Sequence, residues 1–320
     1  MSTAKQAIMP VLLDSDTAGA QFLGDIKPGK YSYLGIVIDG TAAAADALVE
    51  TEIGRIRVSE QGRDVVNIEA ENMLAINRLE GGNARLDNAP GGDAEVAILI
   101  PRGYDDANVH LVTESDLAKV QINHDAAFVT AMSTGAGVAT IELYGLQVET
   151  GEMNYLLKII QLDELIAVSA TQKIKITEEN VFALYIENNV DWDRYRVLRD
   201  GEEAVNCTRL AATHFGDMLN PTDSLADAAS QGDGDIVSIL TPLRLANPGQ
   251  IGEFLSDNIQ LEVTSNAADT FRVIVMSADF APEKLRQTKV ETASIMERKL
   301  ARKEKLGRSR PIQALRVQGE

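Results

Sequence analysis

The feature that most constrains this chain is a thirteen-residue block that occurs twice. Residues 55–67 read RIRVSEQGRDVVN, and residues 194–206 read RYRVLRDGEEAVN. Six of the thirteen positions are identical, with no gap between the two copies. One match of this length is weak evidence, so the flanking sequence must show whether a larger unit is repeated.

Three further pairs of blocks occur in the same order in both halves of the chain. They are YLGIVIDG and ALYIENN (33–40 and 183–189), AILIP and SILTP (97–101 and 238–242), and ESDLAKVQI and LSDNIQLEV (114–122 and 255–263). A colinear series of matches indicates a tandem duplication with a unit of about 140 residues. Because this period is far longer than that of a solenoid repeat, each unit is expected to be a whole domain.

Each unit has the pattern of an antiparallel β-sandwich. The repeated block predicts a hairpin, with apolar β-branched runs on either side of a polar, glycine-containing turn. A short helix is predicted next, over 70–79 and 209–219, followed by Gly- and Asp-rich loops at 80–93 and 220–235. Several short strands follow without βαβ alternation. The predicted fold class is therefore all-β: two tandem jelly-roll sandwiches, each with a short helix.

Composition narrows the class of protein. The chain has 320 residues, of which 45% are hydrophobic, and one cysteine. No internal disulfide can form, and no stretch has the length and apolar character of a spanning helix or a secretory signal, so we expect a protein made in a reducing compartment. The net charge of −18 argues against a body that binds nucleic acid.

Two fused sandwiches, each with an R-x-R-V…G…V-N hairpin leading into a short helix, resemble the double jelly-roll major capsid proteins. These proteins build icosahedral viruses with an internal membrane, in the tectivirus, corticovirus and adenovirus hexon lineage. The resemblance covers roughly residues 30–280. It implies a structural protein that self-assembles as pseudo-hexagonal homotrimers into an icosahedral shell.

The resemblance also implies partners, a location and a division of the chain. The expected partners are further copies of the chain, as homotrimer and neighbouring capsomers, together with penton and minor capsid proteins. The expected location is the virion capsid, after synthesis in the host cytoplasm, with the two Gly- and Asp-rich loops exposed. The expected division is an N-terminal arm (1–30), a first jelly roll (31–155), a second jelly roll (156–282, with a linker near 156–173) and a C-terminal tail (283–320).

The C-terminal tail differs in charge from the rest of the chain. Residues 283–320 carry eleven Lys and Arg against five Glu, so the remaining residues are strongly acidic. A basic, weakly amphipathic helical segment can lie on anionic lipid headgroups, contact packaged nucleic acid or thread under an acidic neighbour, or it can be a solvated helix. The candidate contact residues are Lys284, Arg286, Lys289, Arg298, Lys299, Arg302, Lys303, Lys305, Arg308 and Arg310.

Four arginines in the repeated block form a second candidate site. Arg55 and Arg57 alternate in the first copy, and Arg194 and Arg196 alternate in the second. Alternate residues of a strand share a face, so each pair predicts a basic ladder. Such a ladder can pair with carboxylates of a neighbouring barrel or subunit, or it can be a solvated face.

The sequence predicts no enzyme, cofactor or metal site. The histidines are not spaced as metal ligands, and Cys207 aligns with the apolar Ile68, as a core residue would. The carboxylate pairs Asp105–Asp106 and Asp191–Asp193 lack the ligand order of a calcium loop. The alternative is a two-domain β-sandwich hydrolase or carbohydrate-binding protein, which requires a groove with paired carboxylates or aromatic platforms. Trp192, between Asp191 and Asp193, is the single tryptophan and is more typical of packing.

Overall fold

The structure is a computed structural model of the chain. It describes residues 8–17, 21–41, 53–79, 86–88, 93–103, 109–124, 140–149, 152–153, 155–166, 170–187, 192–199, 201–208, 211, 240–244 and 258–280. By its internal contacts the chain divides into a body, Met1–Asp279, and a second unit, Phe280–Glu320. The architecture below is that of the body, and the predicted contact residues of the tail lie outside the described residues.

Within the described residues the chain is almost entirely β-structure. The first half forms β1 (Ile8–Thr17), β2 (Gln21–Asp25), β3 (Gly29–Thr41), β4 (Arg55–Glu60), β5 (Arg63–Glu69), α1 (Ala70–Leu79), β6 (Leu86–Asn88), β7 (Asp93–Pro101), β8 (His110–Val112), β9 (Lys119–Asn123) and β10 (Thr140–Val148). The second half forms β11 (Tyr155–Ile166), β12 (Thr171–Ile176), β13 (Val181–Glu187), β14 (Trp192–Arg199), β15 (Glu202–Thr208), β16 (Leu240–Arg244), β17 (Ile259–Ser265) and β18 (Asp269–Phe280).

The two halves have the same strand order. In the first half, β1-β10-β3-β7 make one sheet and β2-β9-β4-β5 run side by side in another, with β6 and β8 as additions to the first sheet. In the second half, β11-β18-β13-β16 and β12-β17-β14-β15 take the corresponding places. Counted from the start of each half, and with β6 and β8 set aside, both orders are 1-8-3-6 and 2-7-4-5. This order is that of a jelly roll, so the predicted fold class is confirmed.

The blocks that match in sequence lie on equivalent strands. The thirteen-residue block forms the hairpin β4–β5 in the first roll and the hairpin β14–β15 in the second. The other three pairs of blocks lie on β3 and β13, on β7 and β16, and on β9 and β17. The sequence repeat is therefore a repeat of topology.

The alternation of apolar residues explains why the repeated hairpin forms a face of the core. In β4, Ile56 and Val58 are fully buried, whereas Arg55 and Arg57 point away from the core and are partly exposed. The glycine of each turn, Gly62 or Gly201, has a positive φ of 77° or 82°. L-residues rarely adopt this conformation, which is why the turn of each copy contains glycine at this position.

The helix predicted over 70–79 is confirmed as α1, and it packs against the first roll. Met73 and Leu74 are fully buried. Asn77 fixes α1 to β7 by two hydrogen bonds: its Nδ2 donates to the Leu99 carbonyl (2.6 Å), and its Oδ1 accepts from the Leu99 N–H (2.9 Å). Apart from Ala211, the equivalent segment 209–219 lies outside the described residues.

Strands occur in three segments that were predicted to be an arm, a linker and a loop. In the predicted arm, β1 pairs with β10 and β2 pairs with β9, so both strands belong to the sheets of the first roll. The predicted linker contains most of β11 and the start of β12, and the predicted loop at 80–93 contains β6. A short apolar run such as IMPVLL carries a weak local signal, and the partner residues of β1 lie more than a hundred positions away. The loop at 220–235 lies outside the described residues.

One sheet joins the two rolls. Strand β11, the first of the second roll, pairs in parallel with β5 of the first, with Ile159 opposite Val66 and Ile160 opposite Asn67. The result is an eight-stranded sheet in the order β16-β13-β18-β11-β5-β4-β9-β2. The rolls are therefore connected by main-chain hydrogen bonds as well as by the chain itself.

Candidate functional site: the junction between the two rolls

The repeated arginines make the same bonds within each hairpin. Arg55 Nε donates to Asn67 Oδ1 over 2.7 Å in the first copy. Arg194 Nε donates to Asn206 Oδ1 over the same distance in the second. These bonds cross from one strand of the hairpin to the other, so the repeated arginine and asparagine form one structural unit.

The second arginine of each copy pairs with an acidic residue near the start of the next strand. Arg57 Nη2 lies 2.6 Å from Asp64 Oδ2, and Arg196 Nε lies 2.7 Å from Glu203 Oε2. The hydrogen bond with Glu203 raises the pKa of Arg196. Asp64 and Glu203 occupy the same position of the repeat. Much of the repeat is thus explained by cross-strand pairing within the hairpin.

Arg55 also makes a bond that joins the two rolls. Its Nη1 lies 3.1 Å from Glu69 Oε1 and 3.4 Å from Asp163 Oδ2, and Asp163 is on β11. Arg272 of β18 approaches the other oxygen of Asp163, with 3.9 Å between Nε and Oδ1. Part of the predicted basic ladder therefore pairs with a carboxylate of the neighbouring barrel. Pairing with a neighbouring subunit stays a prediction.

Gln161 of β11 supports the same junction from the buried side. Its Oε1 accepts hydrogen bonds from the Glu69 N–H and from Asn72 Nδ2, both over 3.0 Å. Its Nε2 donates to Asp163 Oδ1 over 2.8 Å. Gln161 is 4% exposed, so it connects β5, α1 and β11 within the core.

The two faces of β11 have different surroundings. Ile166 belongs to the core cluster of the second roll, and the partly buried Leu162 packs against it. Leu157 and Ile159 lie on the opposite face and are fully buried. Strand β11 is therefore fully covered along Leu157 and Ile159 and half-buried along the alternate residues of the other face.

A buried charged cluster lies elsewhere in the first roll. Arg102 is 0% exposed, and its Nη2 lies 2.8 Å from Glu60 Oε1. His110 Nε2 lies 3.0 Å from the same oxygen, and its Nδ1 accepts a hydrogen bond from Arg102 Nε over 3.1 Å. Since Nδ1 accepts, Nε2 carries the proton and donates to Glu60, so the imidazole is neutral.

The pKa values of this cluster follow from burial and charge. Burial lowers the pKa of His110, and the positive charge of Arg102 lowers it further. Burial alone would raise the pKa of Glu60, but the hydrogen bond from His110 and the charge of Arg102 hold it below its ordinary value. The groups bind one another and connect β4, the end of β7 and β8, which indicates a structural role. Among the described residues, Arg102 Nη1 is buried without a hydrogen-bond partner.

The remaining candidate residues from the sequence are engaged in packing or in hydrogen bonds within the second roll. Trp192 is fully buried and meets the ring of Phe271 edge-to-face, with 5.2 Å between the centroids. Cys207 packs against the core of the second roll, and burial raises the pKa of its thiol. Asp193 accepts a hydrogen bond from Asn266 Nδ2. Residues 105, 106, 191 and 214 lie outside the described residues.

Within the described part of the chain, no group of three or more His, Cys, Asp and Glu side chains is arranged to hold a metal ion. The same residues include no helix with the length and apolar character needed to cross a membrane. A polar cavity in the second roll is lined in part by Lys158, Glu178 and Asp279, and Lys158 Nζ lies 3.4 Å from Asp279 Oδ2.

Solved structures with the same architecture include viral major capsid proteins. No protein-family model matches the chain, and no curated protein matches its sequence. The STIV major capsid protein aligns with 85% of this chain and 97% of its own, with a TM-score of 0.62 at 11% identity. The major capsid protein from bacteriophage PM2 aligns over 86% and 98%, with a TM-score of 0.59 at 10% identity. A chain of the Sulfolobus Turreted Icosahedral Virus structure aligns over 93% and 98%, with a TM-score of 0.62 at 12% identity.

The chain is a double jelly roll. It has the fold of these major capsid proteins over most of its length and over nearly the whole length of each. The resemblance inferred from the repeated hairpins is confirmed at the level of the fold.

The sequence did not reveal every part of the junction. Asp163 and Gln161 were not predicted, although Gln161 stands alone as an uncharged polar residue in the apolar run LLKIIQL, which is a usable signal. The cluster of Arg102, Glu60 and His110 had no signal in sequence spacing, because its members come from three separate strands or strand ends.

Proposed function

We propose that this double jelly-roll protein is the major capsid protein of an icosahedral virus. The observation that carries the proposal is the topology: two rolls of the same strand order, fused through one eight-stranded sheet, in a chain of the same extent as the similar capsid proteins. The first consequence is a structural role without a catalytic centre. Because fold alone does not determine function, the proposal needs a test of assembly.

The proposed assembly unit is a homotrimer with a pseudo-hexagonal outline. Each chain supplies two rolls, so three chains supply six similar bodies around one axis. Such a capsomer tiles a shell together with copies of itself. Penton and minor capsid proteins would then fill the vertices and the gaps between capsomers. The assembled protein would be located in the virion capsid, after synthesis in the host cytoplasm.

The proposed shell encloses a membrane, and the basic tail is the proposed contact with it. The net positive charge of 283–320 contrasts with the acidic remainder of the chain. Each basic residue near an anionic lipid surface contributes about 1 kcal/mol to binding. Packaged nucleic acid and an acidic neighbouring subunit are negatively charged as well. The test must therefore show that the tail binds anionic lipid.

The first experiment is the native mass of the purified protein by light scattering over a series of concentrations. A species at three times 34.6 kDa, or shell-sized particles in electron micrographs, is expected. A monomer at every concentration, with no particles, would overturn the proposal and favour the two-domain hydrolase or carbohydrate-binding protein.

The second experiment addresses the tail. Vesicles with and without anionic lipid are floated with the intact protein and with a variant in which Arg298, Lys299, Arg302 and Lys303 are replaced by Gln. Binding that needs anionic lipid and weakens in the variant is expected. No binding to the anionic vesicles, or equal binding by the intact protein and the variant, would contradict the membrane contact but leave the capsid role intact.

A further inference from the structure

The repeat allows the strand edges of the two rolls to be compared. In the first roll, β5 is paired on its outer edge by β11 of the second roll. The strand equivalent to β5 in the second roll is β15, and among the described strands β15 ends its four-stranded sheet. The strand equivalent to β11 in the first roll is β1, which ends its own sheet among the described strands.

We propose that β1 of one copy pairs in parallel with β15 of the next copy and so repeats the β5–β11 junction between subunits. Every copy has one edge of each kind, so the contact runs head to tail and can close into a ring. The inference rests on the proposed homotrimer, which sets the ring at three copies. In such a ring all six rolls would meet through the same type of strand pair.

The exposed face of β1 supports pairing with a second copy of the chain. Leu13 of β1 is buried in its own roll, as Leu162 and Ile166 of β11 are associated with theirs. The opposite face of β1 carries Leu12, which is 53% exposed. The corresponding face of β11, with Leu157 and Ile159, is fully buried at the internal junction. An equivalent junction between subunits would cover the apolar face that β1 leaves open.

The charges at β15 also correspond to those at the internal junction. Arg55 uses Nε for Asn67 and Nη1 for Glu69 and Asp163. Arg194, at the same position of the repeat, makes the Nε bond, but no carboxylate among the described residues lies within ion-pair distance of it. In the alignment of VLLD (11–14) with IQLD (160–163), Asp14 of β1 takes the position of Asp163, so a neighbouring β1 would bring a carboxylate to Arg194.

The expected ladder is short. The internal junction has two residue pairs, and the third residue of β1, Pro10, has no N–H to donate. Proline on a terminal strand limits the length of ladder that this edge can form with another chain.

The repeat also predicts a register that can be tested with the single cysteine. Aligning VLLD (11–14) with IQLD (160–163) places Leu12 at the position of Gln161. Cys207 is at the position of Ile68, which follows the pair Asn67–Ile160. Leu12 of one copy is then beside Cys207 of the next, within the Cα separation of about 4.4–6.8 Å that a disulfide spans.

The test is oxidation of the Leu12→Cys variant with copper–phenanthroline, followed by non-reducing electrophoresis and native mass. Covalent dimers and trimers are expected, with trimers at completion. They should be absent in Leu12→Cys combined with Cys207→Ser. Leu23→Cys is the matched control, because Leu23 is 51% exposed on β2, the terminal strand of another sheet. A native trimer without these crosslinks would overturn the inference and leave the capsid role intact, whereas a native monomer would overturn both.

A second variant tests the contact by charge. Arg194→Glu should weaken the trimer at least tenfold in dissociation constant, since it places a carboxylate near Asp14 of the neighbour. Lys175→Glu makes the same change in charge on β12, at the other end of the same sheet, and should leave the trimer unchanged. Far-UV circular dichroism confirms that each variant is folded. Equal weakening in both variants would overturn the inference.

Discussion

The guanidinium group of Arg55 lies 3.4 Å from the carboxylate of Asp163, and the two residues belong to different jelly rolls. Arg55 is on β4 and Asp163 is on β11, the strand that pairs with β5. The arginine at this position bonds the asparagine of the same hairpin in both copies. In the first copy it also connects the two rolls.

Replacing Arg55 and Asp163 singly and together should reveal a small coupling energy. Their side chains are 29% and 35% exposed, so the expected coupling is about 0.5 kcal/mol, as is typical of partly exposed ion pairs. It should decrease at high salt, because counterions screen the pair. Urea unfolding of Arg55→Ala, Asp163→Asn and the double variant gives the value.

The control for this cycle is Arg57→Ala with Asp163→Asn. Arg57 pairs with Asp64 and makes no contact with Asp163 among the described bonds, so its coupling to Asp163 should be close to zero. Equal coupling for the two arginines would contradict a specific bond between the rolls.

Replacing Gln161 by Leu should destabilise the protein by about 1–3 kcal/mol. The variant fills the same space with an apolar side chain, but it leaves the Glu69 N–H and the Asn72 amide without their acceptor. The free energy of unfolding in urea measures the loss. Gln121→Leu is the control, because Gln121 bonds only the exposed Asn123 side chain among the described contacts, and its effect should stay within about 0.5 kcal/mol. Equal losses would show that Gln161 is not part of the junction.

Acid should destabilise the first roll through His110. The pKa of His110 is lower in the folded protein than its ordinary value of 6.5, so the unfolded chain binds the proton more readily. Stability is therefore fully present above about pH 6.5 and is lost as the pH falls below that value. Glu60, whose pKa is also lowered, adds a further loss below its ordinary value of 4.5.

The measurement is the free energy of unfolding as a function of pH, for the native protein and for His110→Gln. The variant should be less stable at pH 7 but should lose less stability between pH 7 and 5. Asp116→Asn serves as a comparison, because Asp116 bonds the Thr113 N–H and lies outside the hydrogen-bonded cluster. Its negative charge opposes the lowering of the His110 pKa, so this variant should keep the loss of stability near pH 6. An unchanged slope in His110→Gln would exclude His110 as the titrating group.

Trp192 should report the unfolding of both rolls. It is buried in the second roll, and its fluorescence follows that core. Because one sheet crosses both rolls, urea transitions measured by tryptophan fluorescence and by circular dichroism should coincide. Ile56→Ala, in the core of the first roll, should shift both transitions equally. A shift in circular dichroism with no change in fluorescence would show that the rolls unfold separately.

Local patterns determined a large part of the fold. The alternation around Ile56 and Val58 predicted a hairpin, the glycines at 62 and 201 marked its turns, and helical spacing predicted α1 with the bounds that the structure shows. These features depend on residues that are near one another in the chain. The repeat added the number and order of the rolls, because the same local pattern occurred twice.

The pairing partners of the strands in the N-terminal segment and in the predicted linker were not predicted, for the opposite reason. Pairing of β1 with β10, and of β11 with β5, joins residues about 90 to 140 positions apart. Nothing within β1 or β11 specifies which partner it takes. Only the packing of complete sheets makes one pairing more favourable than another.

The sequence by itself therefore determined that this protein is a duplicated, all-β chain with an acidic body and a basic tail. The tertiary structure decided that the two rolls share a sheet, that Asp163 meets Arg55, and that Arg102, Glu60 and His110 form one buried cluster. The physical reason is that hydrophobic alternation is encoded locally. The partner of a strand edge or of a buried charge is set by contacts between distant segments, which exist only once the sheets have assembled.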